Sequence, residues 1–125
     1  GIGTPFIVHW PRGISTNLKG STINQYGFLP DIMATCLDLA HTTQPEKFNG
    51  NKIKKHSGKS LMPIFLGSTK EIHDEPIFWE HEGNKAVRLG EYKLVMDWEK
   101  DVYDNWELYN ITKDRTVTRL SCFPL

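Results

Sequence analysis

The chain has 125 residues, enough for one domain or part of a larger one. Lys plus Arg and Asp plus Glu each number 15, so the formal net charge is zero and no long-range field steers the chain toward nucleic acid or acidic lipid. Apolar residues make up 38 %, too many for a disordered tail, and no apolar run approaches the roughly 20 residues that span a bilayer, so neither nucleic acid nor membrane is expected as a partner.

Phe6, Ile7 and Val8 form a continuous apolar run, closed by the turn residues Pro11, Arg12 and Gly13. This pattern predicts a strand buried on both faces, as in a parallel sheet. Parallel neighbours need crossover connections, and no second strand of this kind follows. The sheet that receives it is therefore expected outside this chain. Leu29, Ile32, Met33, Cys36, Leu37 and Ala40 recur at helical spacing and predict a helix with one buried stripe. Pro30 and Asp31 suit its first turn, because Pro lacks an N–H there and Asp favours the positive end of the dipole. Cys36 is read as a core residue of that stripe. Thr42, Thr43 and Pro45 end the helix.

Residues 46–59 are polar, contain Gly50 and Gly58, and read as a surface loop. The basic stretch from Lys52 to His56 has no interleaved aromatic to stack a base and reads as solvated. Ser60 to Leu66 predicts a short apolar helix or turn, stopped by Gly67.

The last third predicts an antiparallel meander. Residues 76–82 form its first strand, and residues 85–89 and 92–96 form a hairpin that turns at Gly90 and Glu91. Tyr92, Leu94 and Met96 alternate with Lys93, Val95 and Asp97, so one face is expected to be buried. Residues 99–105 read as a charged loop and Trp106 to Asn110 as a fourth strand. Asn110-Ile111-Thr112 is a glycosylation sequon. The polar sequence after Thr112 is expected to start a helix.

The residues that carry chemistry are sparse. Two cysteines, Cys36 and Cys122, make no metal knuckle, and sequence leaves their pairing open. None of the five histidines forms the helical i, i+4 pair of a zinc site. Glu80 and Glu82 are expected on one face of a strand with His81 on the other, so the three would not chelate one ion. His81 follows an aromatic strand and precedes a Gly-Asn turn, where side chains project into clefts, though a satisfied structural histidine is the plainer reading. Trp79, Trp98 and Trp106 could line a sugar site or serve as cross-strand packing residues.

Five segments in order resemble the C-terminal region of sulfatases, in the alkaline-phosphatase superfamily. They are Gly1 to Ile14, with the strand running into a Trp-Pro turn; Asp31 to Ala40, the following helix; and Gly58-Lys59-Ser60-Leu61-Met62-Pro63. Phe78 to Arg88 with Tyr92 to Val95 resembles the family's hairpin, and Trp106-Glu107-Leu108-Tyr109-Asn110 its last strand. The chain departs from the family pattern at Gly3, where Arg is usual, at Arg115, where Pro is common, and from Cys122 onward.

The resemblance implies an α+β fold: a small antiparallel sheet with a packed helix, preceded by a strand and helix that belong to a larger α/β domain. Residues 1–45 would close that catalytic domain and residues 46–125 would form the antiparallel-sheet subdomain. It also implies sulfate-ester hydrolysis by a formylglycine and a calcium ion in the parent enzyme. This chain carries no complete Cys-x-Pro-x-Arg; Cys122-Phe123-Pro124-Leu125 imitates only its start. Asp104-Asn105 is followed by Trp106 rather than the Gly of the family's calcium motif, and the family's catalytic lysine is expected just before Gly1. No catalytic or metal residue, and no cofactor, is therefore expected in the chain itself. His81, Asn84 and Arg88 are the candidates for a wall of the substrate cleft. The implied partners are the remainder of the catalytic domain and a sulfate-ester substrate. The alternative is a non-catalytic binding module that docks through its first strand and its helix. No signal-peptide pattern opens the chain, and sulfatases occur in periplasmic, secreted and lysosomal settings, so location is left open.

Overall fold

A computed structural model describes residues 3–98 and 106–117. In chain order they form a 3-10 turn (Thr16–Leu18), helix α1 (Leu29–Leu39), strands β1 (Lys47–Phe48) and β2 (Asn51–Lys52), and helix α2 (Met62–Phe65). Strands β3 (Ile77–His81), β4 (Asn84–Leu89), β5 (Tyr92–Met96) and β6 (Trp106–Asn110) follow. The class is α+β, as expected, with a two-stranded ribbon β1-β2 and a four-stranded sheet β3-β4-β5-β6. The chain packs as two units, Gly1–Ile72 and His73–Leu125.

In the first unit, α1 begins where the sequence predicts and is closed by hydrogen bonds at both ends. The Phe28 N–H donates to Asp31 Oδ2 at 2.7 Å, and the Asp31 N–H donates to the Phe28 backbone carbonyl at 2.8 Å, which closes the first turn. At the other end His41 takes a left-handed backbone, φ 50°. The His41 N–H then donates to the Asp38 carbonyl and the Thr42 N–H to the Leu37 carbonyl, a closing pair that satisfies the last orphan carbonyls.

The buried face of α1 is not the predicted apolar stripe. Asp31, Ala34 and Thr35 are its buried residues, and Asp31 is 0 % exposed. Leu29 is 79 % exposed, and Ile32, Met33, Cys36 and Leu39 are exposed as well. Cys36 is thus a surface residue, contrary to expectation. The physical reason is the neighbour that α1 meets here: the segment Gly58–Leu61, whose backbone amides need acceptors. Asp31 Oδ1 accepts from the Lys59 N–H at 2.8 Å, and Thr35 Oγ1 accepts from the Leu61 N–H at 2.9 Å. Ser60 Oγ donates to Asp38 Oδ2, so the i, i+4, i+7 polar row of the helix is the row in use. Gly58 is required by contact: a Cβ there would lie 2.1 Å from the Pro30 carbonyl oxygen. Leu61 and Ile64 supply the small apolar core beneath.

The strand expected at residues 6–8 does not form. Neither sheet includes it, and Ile7 is 88 % exposed. A strand buried on both faces needs neighbours to accept its backbone hydrogen bonds, and the described residues supply none. The Trp-Pro turn after it does form. Gly13 and Ile14 N–H groups both donate to the Trp10 carbonyl at 3.1 Å, and a Cβ on Gly13 would strike the Trp10 indole at 1.9 Å. Within the polar region 46–59, β1 and β2 pair as a minimal hairpin, and α2 confirms the short helix expected at 60–66.

The second unit is the predicted meander, each strand antiparallel to the one before it. Glu82 and Gly83, at φ 51° and 84°, make the two-residue turn between β3 and β4. Gly90, at φ 55°, opens the turn between β4 and β5. The covered face is the one carrying Ile77, Ala86 and Tyr109. The opposite face carries the cross-strand row Phe78, Val87, Leu94 and Leu108, with Leu89, Tyr92 and Met96 beside it. There Phe78 is 67 % exposed, and Leu89 and Tyr92 are exposed. The alternation left open which face is buried; burial falls mainly on the face opposite Tyr92. Residues 111–117 form turns rather than the start of a helix, with Lys113 and Asp114 N–H groups donating to the Asn110 carbonyl. The charged loop read at 99–105, which holds Asp104 and Asn105, and the region of Cys122 lie outside the described residues.

Candidate functional site

Cross-strand register sets the three candidate residues. His81 is paired directly with Asn84 at the β3–β4 turn, so both lie on the same sheet face. Arg88 follows Asn84 by four residues and shares that face, but it stands roughly 13 Å farther along β4 and pairs with Ile77 and Lys93. The structure therefore brings His81 and Asn84 together and leaves Arg88 at the other end of the strand.

Each has a distinct environment. The His81 imidazole is open to solvent, with Nε2 3.9 Å from Glu82 Oε2, an exposed contact of small energetic weight. The Asn84 side chain is engaged by the backbone: Nδ2 donates to the His81 carbonyl at 3.3 Å, and Oδ1 accepts from the Trp98 N–H at 3.1 Å. Trp98 rests against the turn so closely that a Cβ on Gly83 would lie 2.8 Å from its ring. Arg88 Nε donates to the Gly90 carbonyl at 3.1 Å, which steers the guanidinium toward the β4–β5 turn.

Beside Arg88 lies a charged row that sequence reading missed. Register places Arg88, Lys93 and Tyr109 side by side across β4, β5 and β6. Burial, and then the neighbouring Arg88 charge, hold the Lys93 ammonium below its ordinary pKa. The Tyr109 hydroxyl donates to Glu107 Oε2, and this bond together with burial pushes the phenol up to about 12. The alternation through β5 carried the signal for Lys93: a lysine between Tyr92 and Leu94 must share a face with whatever β4 and β6 offer opposite it.

Other candidates are not brought together. Glu82 leaves the strand for the turn, and Glu80 Oε1 accepts from the Gly83 N–H at 3.0 Å, so the two carboxylates do not share a strand face. Trp79 belongs to the covered sheet face, Trp106 to the reverse, and Trp98 to the turn, so they line no common sugar site. Asn110 of the sequon is 4 % exposed; its Nδ2, the atom a glycan would occupy, donates to Glu91 Oε2 at 2.8 Å. Among the described residues no three His, Cys, Asp or Glu side chains are placed to hold one metal ion. An open cavity of about 240 Å³ lies in the first unit, lined by Lys59, Ser60, Pro63 and Lys70, none of which is a candidate named above.

Comparison with known proteins gives the context for this geometry. No protein-family profile matches the chain. The chain is 30 % identical over 118 residues to a protein of Schizosaccharomyces pombe described as the uncharacterized sulfatase PB10D8.02c, covering 92 % of this chain and 21 % of the relative. It is also 30 % identical over 74 residues to the ulvan-active sulfatase of Formosa agariphila, covering 59 % of this chain and 13 % of the relative. Among solved structures, Ps i-CgsB superposes with a TM-score of 0.66 at 22 % identity, over 90 % of this chain and 23 % of that one. The chain thus spans about a fifth of the length of the first of these relatives.

Proposed function

We propose that this chain, sulfatase-like in sequence and fold, is the C-terminal part of a sulfatase whose whole protein hydrolyses sulfate esters. The observation that carries the reading is the match of 92 % of the chain to a sulfatase of which it covers only 21 %. In this reading residues 1–45 close the catalytic α/β domain and residues 46–125 form the antiparallel-sheet subdomain. The formylglycine and the calcium ion would be held by residues outside this chain.

The chain's own contribution is to the wall of the cleft. His81 offers an imidazole at the end of β3, beside the two-residue turn, able to donate a hydrogen bond to a sulfate or sugar oxygen. Asn84 positions that turn through the His81 carbonyl and the Trp98 N–H. Arg88 supplies a cation for an anionic substituent farther along the substrate. One relative is described as ulvan-active, and the structural neighbour Ps i-CgsB has also been solved in complex with k-i-k-neocarrahexaose; both favour a polysaccharide substrate over a small aryl ester.

A chimera tests this reading. This chain replaces the matched 118-residue stretch of the fission-yeast relative, and hydrolysis of an aryl sulfate and of sulfated oligosaccharides is measured. The parent chimera is expected to be active. His81→Ala is expected to lower kcat/KM by about tenfold while leaving the melting temperature unchanged. A folded, inactive chimera would sink the sulfatase reading. Unchanged kcat/KM in His81→Ala would sink the assignment of the wall.

A further inference from the structure

The β1–β2 ribbon of the first unit concentrates positive charge in a chain whose formal net charge is zero. Lys47, Lys52, Lys54 and Lys55 lie close together in sequence, and all four are exposed. Register sets Lys47 directly opposite Lys52, so the two side chains leave the same face of the ribbon. Like charges directly opposite each other destabilise a strand pair, and a two-stranded ribbon is marginal in water to begin with. Among the described residues none of the four lysines makes an ion pair.

The backbone that presents them is held in place. Asn49 and Gly50, at φ 49° and 80°, make the two-residue turn that joins the strands. The Ile53 N–H donates to the Glu46 carbonyl at 2.9 Å and extends the pairing by one step. Beyond it, Gln44 Nε2 donates to the Lys54 carbonyl at 2.9 Å while Gln44 Oε1 accepts from the His56 N–H at 3.0 Å, so one side chain stands in for a further strand residue. The basic segment is thus a fixed row, and a ligand that meets it has little backbone to order.

We infer that Lys47 and Lys52, continued along the chain by Lys54 and Lys55, bind the sulfate groups of a sulfated polysaccharide. The inference rests on the sulfatase reading above and adds to it a place that grips the polymer. Charge complementarity selects a polyanion with its groups spaced along a chain. The competing polyanion is single-stranded nucleic acid, which is bound through aromatic platforms for its bases as well as through cations. The exposed aromatic of this ribbon, Phe48 at 67 %, pairs with Asn51 and so leaves the reverse face. The lysine face offers charge without a stacking platform, which suits sulfated sugar rather than bases.

Titration of the full chain with dextran sulfate tests it, with uncharged dextran and single-stranded DNA as comparisons at low ionic strength. The parent chain is expected to bind dextran sulfate, to leave dextran unbound, and to bind DNA more weakly. The variant carrying Lys47→Gln and Lys52→Gln is expected to lower the affinity for dextran sulfate about fivefold. The variant carrying Lys19→Gln and Lys113→Gln removes the same charge from exposed positions elsewhere and is expected to bind as the parent does. Both should keep the parent's melting curve, since every substituted side chain is exposed. Four results would each overturn the inference: no binding by the parent, unchanged affinity in the ribbon variant, equal loss in both variants, or DNA bound as tightly as dextran sulfate. No readout depends on hydrolysis. An inactive chimera whose ribbon still binds dextran sulfate would remove the sulfatase reading and leave the lysine row standing. An active chimera built on a chain that does not bind would do the reverse.

Discussion

Thr35 holds Leu61 by its backbone. The Thr35 hydroxyl donates to the Asp31 carbonyl at 2.6 Å while its lone pair accepts the Leu61 N–H at 2.9 Å, and both residues are buried. Thr35→Val keeps the shape and removes the acceptor, leaving the Leu61 N–H buried without a partner. A loss of about 1–3 kcal/mol is expected, read by denaturant unfolding, with faster exchange of the Leu61 amide. Asp31→Ala is expected to cost more, because it frees two amides, those of Phe28 and Lys59. A Thr35→Val chain as stable as the parent would refute this coupling.

Gly58→Ala is expected to destabilise the first unit by about 1–3 kcal/mol through overpacking. The obstacle is backbone: the new methyl would meet the Pro30 carbonyl oxygen at 2.1 Å, and a carbonyl inside the first turn of α1 cannot move aside alone. Thermal melting and amide exchange across residues 58–61 check it. Gly50→Ala is the contrast, since open space surrounds that position and only its φ of 80° is strained.

Tyr109 gives the second unit a pH dependence at its alkaline end. Its folded pKa of about 12 exceeds the ordinary 10.0, so the unfolded chain releases this proton first. The stabilisation is therefore complete below pH 10 and is lost as pH rises toward 12. Tyr109→Phe is expected to flatten the decline in stability between pH 10 and 12. Phenolate absorbance should show a late-titrating component that Tyr109→Phe removes; its absence from the parent would contradict the assignment.

Lys93 acts in the opposite sense. Its pKa is lowered by burial and by Arg88, so in the window below the ordinary 10.5 the unfolded chain binds more protons than the folded one. Its contribution therefore makes stability rise with pH through that window. Lys93→Met, which keeps the apolar stem and removes the charge, is expected to leave stability at pH 7 unchanged or higher. A marked loss in urea unfolding would show that the ammonium holds a favourable contact.

His81→Ala and Asn84→Ala should separate a reaching residue from a positioning one. The exposed His81 is expected to change melting by less than about 0.5 kcal/mol. Asn84→Ala removes the acceptor for the Trp98 N–H and is expected to raise amide exchange at Trp98. Equal effects from both would argue that the turn is held by other contacts.

The sheet was legible in sequence because its signals are local. Strand runs of alternating or aromatic residues are separated by turn residues, and the pairing of Leu89 with Tyr92 follows from the turn and the period of two. The extent of α1 was legible for the same reason. Which face of each element is covered was not. Periodicity reports which residues prefer burial, but burial needs a partner, and Asp31 and Thr35 are covered because the 58–61 amides must be satisfied. The engaged amide of Asn84 was likewise invisible, since the Trp98 N–H reaches it across fourteen residues.

Cys36 sits in the middle of the exposed stripe of α1 with a free thiol. It is a built-in reporter for that face. A maleimide or a spin label attached there would sense its surroundings without an added mutation. Reaction rate and label mobility would record, in real time, whether the surface is bare or covered. The same thiol fixes a handling condition, because oxidation in air would join two chains through that face.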